Sequence, residues 1–195
     1  MGGHRDGAPG RLALKGDAMT RAAFLCLAVL AAAPARAYDA PSKEDVGAVA
    51  ACLTLVRENQ KKAGVEKEET PGPAGRLAAA ARSAPLDPTS CVGVLVTACT
   101  QKEGTSNGAQ SGCAEREGAV WDQRLNAAYR RALDHMEKEG ADNLRKTQRA
   151  WIALRDVRCQ QAWAAYHGSM AGPIQAWCEM ELTARQALWV DSWSE

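Results

Sequence analysis

The fold of this chain is decided by residues 113–140, which read CAEREGAVWDQRLNAAYRRALDHMEKEG. Gly140 is a natural helix stop, so the pattern predicts one long helix from about Cys113 to Glu139. Its apolar stripe recurs at spacings of three and four and comprises Trp121, Leu125, Ala128, Ala132 and Met136. A stripe of this kind has to be buried against other helices.

Working outward, further stretches show helical patterns separated by polar or glycine-rich segments. They run from Ser42 to Gly64, from Asp87-Pro88 to about Gly104, from about Ala141 to Tyr166, and from Pro173 nearly to the C-terminus. Residues 104–112 are predicted to be a polar loop. Because short connections make neighbouring helices antiparallel, the last three helices should pack up-down-up. The sequence therefore predicts an all-α fold, a small disulfide-linked bundle of about five helices with a C-terminal three-helix core.

The N-terminal residues have the pattern of a leader. Arg21 precedes an apolar stretch over 22–33, and Ala35-Arg36-Ala37 fits a small-x-small cleavage site. We expect a leader over 1–37, with 19–37 as signal peptide and 1–18 as a start-site artefact. Export then leaves a single helical domain over 38–195, with an exposed linker at about 65–86. The apolar stretch is shorter than the roughly 20 residues that a bilayer requires, so no membrane span is expected.

Removal of the leader leaves six cysteines, and their even number predicts three disulfides in an exported protein. Two cysteines eight residues apart on one helix lie about 12 Å apart, too far to bond, which removes some pairings. The favoured scheme joins Cys52 to Cys91, Cys99 to Cys113, and Cys159 to Cys178. The alternative is a metal site, but there is no Cys-x-x-Cys and the remaining histidines are isolated, so no metal is predicted.

The charge balance and the absence of catalytic patterns narrow the function. The formal net charge is +1 and no long basic run occurs, which argues against a nucleic-acid partner. We find neither a nucleophile beside a base nor a glycine-rich phosphate loop. The sequence therefore predicts a protein that is not an enzyme and needs no cofactor.

Polar side chains interrupt the helical stripes of the C-terminal half. They are Asp122, Asn126, Gln148, Arg149, Arg155, Asp156 and Arg185. One interpretation is an internal cluster, with an aspartate accepting a bidentate contact from one of the arginines; we favour it because desolvated charges must be paired. The alternative is a recognition surface in which Arg155 and Asp156 project toward a partner.

All six tryptophans lie between residues 121 and 193. Helical spacing favours core positions for four of them rather than ligand stacking, because each buries a large area; these are Trp121, Trp151, Trp163 and Trp177. Trp189 and Trp193, near the end, are instead candidates for an exposed apolar patch, which would indicate an interface.

The motifs of this region closely resemble those of the lysozyme inhibitor LprI-like family. They are Trp121-Asp122-x-x-Leu125-Asn126-x-x-Tyr129, Gln148-Arg149-Ala150-Trp151, Arg155-Asp156-x-x-Cys159 and Cys178-x-x-x-Leu182-Thr183-x-Arg185. The resemblance covers about residues 113–188, within a module at about 105–195. It implies an exported bacterial protein with a small, helical, disulfide-linked domain, and it takes its name from a member that inhibits lysozyme.

Together these observations predict a periplasmic or secreted, non-catalytic binding protein. The leading hypothesis is an inhibitor of lysozyme-type muramidases, whose partner is lysozyme or another envelope protein. The candidates for insertion into a cleft are the loop 168–172, with Ser169 and Met170, and the loop 104–112. A structural or interaction module acting through Trp189 and Trp193 is the alternative, and an envelope hydrolase using Asp122 or Asp156 is a third hypothesis.

Overall fold

The computed structural model describes residues 39–68, with side chains as far as 63, and residues 86–194. The predicted leader and most of the predicted linker lie outside these ranges. Within them the secondary structure is helical: α1 Lys43–Glu68, a 3-10 helix Pro88–Cys91, α2 Val94–Glu103, α3 Asn107–His135, α4 Lys138–Ala165 and α5 Ala171–Asp191. The predicted all-α class is confirmed. None of the described helices combines the length and apolarity needed to cross a bilayer.

The C-terminal helix α5 is the centre of the bundle. It packs most extensively on α3 and also on α4, whereas α3 and α4 contact each other little. Alanines at 176, 184 and 187 of α5 are buried and allow close approach to the stripe of α3. The fully buried core between the helices includes Trp121, Leu125, Met180 and Val190.

Paired residues at both ends establish the directions of these helices. Asn107 contacts Ser169 at one end of the α3–α5 pair and Arg131 contacts Asp191 at the other, so α3 and α5 are parallel. On the α4 side, Gln148 contacts Gln186, while Cys159 bonds to Cys178, so α4 and α5 are antiparallel. The predicted up-down-up order is confirmed.

The three disulfides have the predicted pairing. Cys52–Cys91 joins α1 to the 3-10 helix, Cys99–Cys113 joins α2 to α3, and Cys159–Cys178 joins α4 to α5. Their Cα–Cα distances are 5.8, 5.6 and 5.5 Å, within the range that a disulfide bridges. Each crosslink therefore ties a different pair of elements into one bundle.

Several predicted boundaries were wrong. The loop predicted over 104–112 is shorter, because the Ser106 side chain caps α3 by accepting from Ala109 N at 3.2 Å, and the helix begins at Asn107. Helix α1 continues through Gly64, where we predicted a stop; the glutamates and lysine that follow are good helix formers. Pro173 lies in the first turn of α5, which begins two residues earlier.

The prediction that four tryptophans are core residues holds for one of them. Trp121 is fully buried and Trp151 is half-buried, but Trp163 and Trp177 have relative exposures of 54% and 43%. The spacing of a stripe shows which face of a helix is apolar, but it does not show whether another helix covers that face along its full length. At the start of α5 and the end of α4, the chain leaves these rings partly uncovered.

Candidate functional site

Part of the predicted polar cluster comes together around Arg155. The residue is only 5% exposed, and its Nε and Nη2 donate to one Asp156 carboxylate oxygen at 3.0 and 2.8 Å. The guanidinium lies 5.1 Å from the centroid of the Trp151 ring, and its Nη1 donates to Thr183 Oγ1 at 3.5 Å. Arg155 is thus held inward by a carboxylate, an aromatic face and a hydroxyl rather than projecting into solvent.

Asp122 lies near this group. It accepts a hydrogen bond from Asn126 Nδ2 at 2.9 Å, one turn along α3. Burial raises the pKa of the Asp122 carboxyl, and this outweighs the opposing effects of the positive charge on Arg155 and of the Asn126 bond. The fold therefore stabilises the ionised form of Asp122 less than water stabilises that of an exposed aspartate.

The other predicted members lie apart from this group. Arg149 is exposed, and Arg185 pairs with Glu181, four residues earlier on the outer face of α5, at 2.8 Å. Gln148 accepts from Gln186 Nε2 at 3.0 Å across the α4–α5 contact. Of the three arginines that the sequence offered to the aspartates, Arg155 is the one that pairs with an aspartate in the described part of the chain, because the helical positions of Arg149 and Arg185 turn them outward.

A buried carboxylate that sequence reasoning missed organises the start of α2. Glu117 is 0% exposed and accepts from Gly93 N and Trp121 Nε1 at 2.7 and 2.9 Å through one oxygen. Its other oxygen accepts from Leu95 N and Val96 N at 2.9 and 3.0 Å. Helix α2 has no capping side chain of its own at Gly93, so Glu117 supplies the acceptors from α3. Its position four residues before Trp121, on the buried stripe, was the available signal.

A second ion pair fastens α1. Arg116 Nε and Nη2 donate to the two oxygens of Asp45 at 3.2 and 2.7 Å, and Nη1 also contacts Glu103 at 2.9 Å. Burial would raise the pKa of the Asp45 carboxyl, but hydrogen bonds from Arg116 and Ser42 lower it overall. Hydrogen bonding to Asp45 in turn raises the pKa of Arg116.

The described residues that come closest to a metal-ligand set lie beside that ion pair, where Glu103 approaches Cys99 and Cys113. The sulfurs of both cysteines are bonded to each other, which leaves one carboxylate and no thiolate. Thiolates are the metal-binding form of cysteine, so these residues do not suit a metal ion.

The two loops predicted to insert into a cleft lie side by side. Asn107 Nδ2, at the start of α3, donates to Ser169 Oγ at 2.9 Å, although the residues are 62 positions apart. Met170 follows, with 56% of its surface exposed, and Tyr166 is also exposed at the other end of the loop. The segment 166–170, which we call the α4–α5 loop, is therefore braced against α3 and presents apolar side chains to solvent.

A groove of about 550 Å³ opens beside the α4–α5 loop, between α2, α3 and α5. Its apolar residues include Met170, Ile174 and Trp177, and its polar residues are Thr97, Thr100, Gln101, Asn107 and Gln110. No charged side chain lines the groove among the residues that the structure describes. Its size falls within the range of small-ligand sites, and its neutral lining distinguishes it from the ion pairs elsewhere.

The indole of Trp177 is set in place by a close backbone approach. Gly93 has φ of +90°, and a Cβ built on it would lie 3.2 Å from Trp177 Cη2. Only glycine combines that conformation with that contact at no steric cost. Glu117 holds the same Gly93 through its N–H, so the buried carboxylate and the exposed ring belong to one arrangement.

The opposite end of α5 carries another aromatic surface. Trp189 and Trp193 form an edge-to-face pair with ring centroids 6.1 Å apart, and both rings are exposed. We call these two residues the C-terminal tryptophan pair. The predicted exposed position of both rings is confirmed.

Comparison with known proteins gives the family. Residues 99–189 match the family model described as lysozyme inhibitor LprI. Similarity also extends to an uncharacterized protein of Rhizobium meliloti (strain 1021), 34% identical over 88 residues. That match covers 38% of this chain and 63% of the relative, less than two thirds of its length. No solved structure matches the chain. The family inferred from the motifs is confirmed by this match: residues 99–189, which contain α3, α4 and most of α5, fit the lysozyme inhibitor LprI family.

Proposed function

We propose that this chain is an exported, non-catalytic binding protein that inhibits a lysozyme-type muramidase. The family match supports an inhibitory binding role. Three disulfides support an oxidising compartment outside the cytoplasm, either the periplasm or the medium. The observation that carries the proposal is the braced and exposed α4–α5 loop, with Ser169 and Met170 at its tip.

The rigidity of this loop suits it to inhibition. Its tip is held by the bond from Asn107 to Ser169, and Ala171 N donates to Gly168 O at 3.3 Å where α5 begins. The Cys159–Cys178 bond ties the two helices that flank the loop. A preorganised loop loses less conformational entropy on entering a cleft, so more of its contact energy appears as affinity. Met170 is the apolar side chain best placed to be buried by a partner.

The test is a titration of the purified protein against lysozyme-catalysed clearing of bacterial cell walls. We expect inhibition below tens of micromolar, and we expect Met170→Asp to weaken it by about tenfold or more, because a charge would enter a desolvated contact. The matched control is Leu154→Asp, which places the same charge on an exposed leucine of α4. An absence of inhibition at tens of micromolar, or equal losses in both variants, would retire the proposal.

A second candidate function is an interaction module of the cell envelope, with an unidentified protein on the C-terminal tryptophan pair. It is favoured by the exposure of both rings, since paired exposed tryptophans are typical of interface anchors. Its test is capture of partners from periplasmic extract by the parent and by the Trp189→Ala/Trp193→Ala variant. A captured protein that the variant loses, but that Met170→Asp retains, would support this function; identical captures would refute it.

A further inference from the structure

The groove beside the α4–α5 loop has a specific hydrogen-bonding character. Thr97 Oγ1 donates to Gly93 O, and Thr100 Oγ1 donates to Val96 O, each at 2.9 Å within helix α2. Gln110 Nε2 donates to Thr105 O at 2.7 Å. The hydroxyl and amide oxygens keep lone pairs that can accept, and the NH₂ groups of Gln101, Asn107 and Gln110 carry hydrogens that can donate. The polar rim therefore offers both donors and acceptors without a charge.

A ligand that complements this rim both donates and accepts hydrogen bonds and carries no charge. A phosphate or carboxylate would find no cation among the described lining residues, and an ammonium group would find no carboxylate. Each sugar hydroxyl can both donate and accept, so a neutral carbohydrate complements a rim of hydroxyl and amide groups.

The floor of the groove suits the apolar face of a sugar ring. Trp177 has a flat indole ring, is 43% exposed as a residue, and lies against Gly93. The C–H groups on one face of a pyranose ring stack on such a surface, while its hydroxyls remain free to reach the rim. Met170 and Ile174 add further apolar surface to the lining, against which a methyl group can pack. An N-acetyl substituent supplies both that methyl group and an amide N–H donor.

We propose that this groove binds an uncharged chain of N-acetylamino sugars, with Trp177 as the stacking platform and Thr100 and Gln110 as acceptors. This inference goes beyond the inhibition of a muramidase and does not rest on it, since it concerns the glycan rather than the enzyme. A protein with both sites would contact the cell-wall polymer and the enzyme that cleaves it through the same end of the bundle.

The experiment is calorimetric titration of the purified protein with chitotriose, in the absence of any muramidase. We expect saturable binding in the millimolar range or tighter, about tenfold weaker for Trp177→Ala because the stacking surface is lost. Trp193→Ala is the matched control: it removes an equally exposed indole about 24 Å along the helix and should bind like the parent. Maltotriose, which lacks the acetamido group, should bind more weakly than chitotriose.

The melting temperature of Trp177→Ala shows whether this substitution disturbs folding. If it does, a second variant provides the test. Thr100→Val removes one acceptor at nearly constant shape and should weaken chitotriose binding severalfold. No chitotriose binding, or equal binding of maltotriose, would overturn the inference. If Trp177→Ala instead abolishes inhibition of lysozyme while the parent binds no sugar, the groove receives a protein segment: the glycan proposal fails and the proposed function stands.

Discussion

Replacement of Glu117 by glutamine should destabilise the fold far more than its conservative chemistry suggests. The two carboxylate oxygens each accept two hydrogen bonds, from three backbone N–H groups of residues 93–96 and from the indole of Trp121. A glutamine keeps one accepting oxygen, while its NH₂ group can only donate. Two of the four buried donors therefore lose their acceptor.

The magnitude follows from those two donors. A buried donor left unsatisfied costs about 1–3 kcal/mol, and hydrogen bonds to a charged acceptor contribute about 1.5–3 kcal/mol each. We expect Glu117→Gln to lower the free energy of unfolding by about 3–5 kcal/mol, a large fraction of the 5–15 kcal/mol that is usual for a domain. Glu117→Ala, which leaves all four donors without an acceptor and creates a cavity, should lower the free energy of unfolding further.

The assay is urea unfolding of the oxidised protein, followed by circular dichroism, with Glu115→Gln as the matched control. Glu115 is exposed on the same helix, so its variant should remain within about 0.5 kcal/mol of the parent. Native-state hydrogen exchange should show the largest loss of protection at the amides of Leu95 and Val96. A loss below about 1 kcal/mol for Glu117→Gln would refute the reasoning that this carboxylate is the cap of α2.

Three further perturbations test the remaining electrostatics and crosslinks. Arg116 lowers the pKa of Asp45 below its ordinary 3.8, so the stability that the ionised carboxylate contributes is present above that pH and lost as the pH falls through the lower folded value. Asp45→Asn should therefore be about 1–2 kcal/mol less stable than the parent at pH 7. Urea unfolding at decreasing pH should show this difference in stability shrinking. Burial raises the pKa of Asp122, so its ionised form costs stability above pH 3.8. Asp122→Asn should be at least as stable as the parent in urea unfolding at pH 7, and a clear loss of stability there would contradict the sign. Cys52→Ser/Cys91→Ser opens a crosslink with a sequence separation of 39 and should cost about 4 kcal/mol, measurable as a lower midpoint in urea.

The helices could be predicted because helical structure depends on the spacing of residues that are close together in the sequence. The stripe from Trp121 to Ala132 and the short connections on either side of α4 predict the up-down-up core. The helix boundaries were predicted less accurately where one capping residue determines the start of a helix, as Ser106 does for α3. The glycines around Ser106 favour a loop, and the capping hydrogen bond outweighs that preference. The disulfide pairing could also be predicted, because few pairings satisfy both helix geometry and the distance that a disulfide can span.

The candidate site could be predicted from the sequence only in part. Ser169 and Met170 could be selected from the sequence as an exposed loop, but their contact with the start of α3 joins residues 62 positions apart. The groove needs residues from three helices at once, and Trp177 looked like a core residue until the extent of coverage by its neighbours was known. Glu117 was overlooked because its partners in the 3-10 to α2 turn lie 21 to 24 residues away.

The sequence by itself therefore determined the fold class, the helix order, the crosslinks and the family, since each depends on local periodicity, on cysteine number or on contiguous motifs. Only the tertiary structure decided which charges are buried, which tryptophans remain exposed and where the loops meet. The physical reason is that burial is a property of how helices cover one another. A helix face looks the same in sequence whether a neighbour packs along its full length or leaves its last turn open to a ligand.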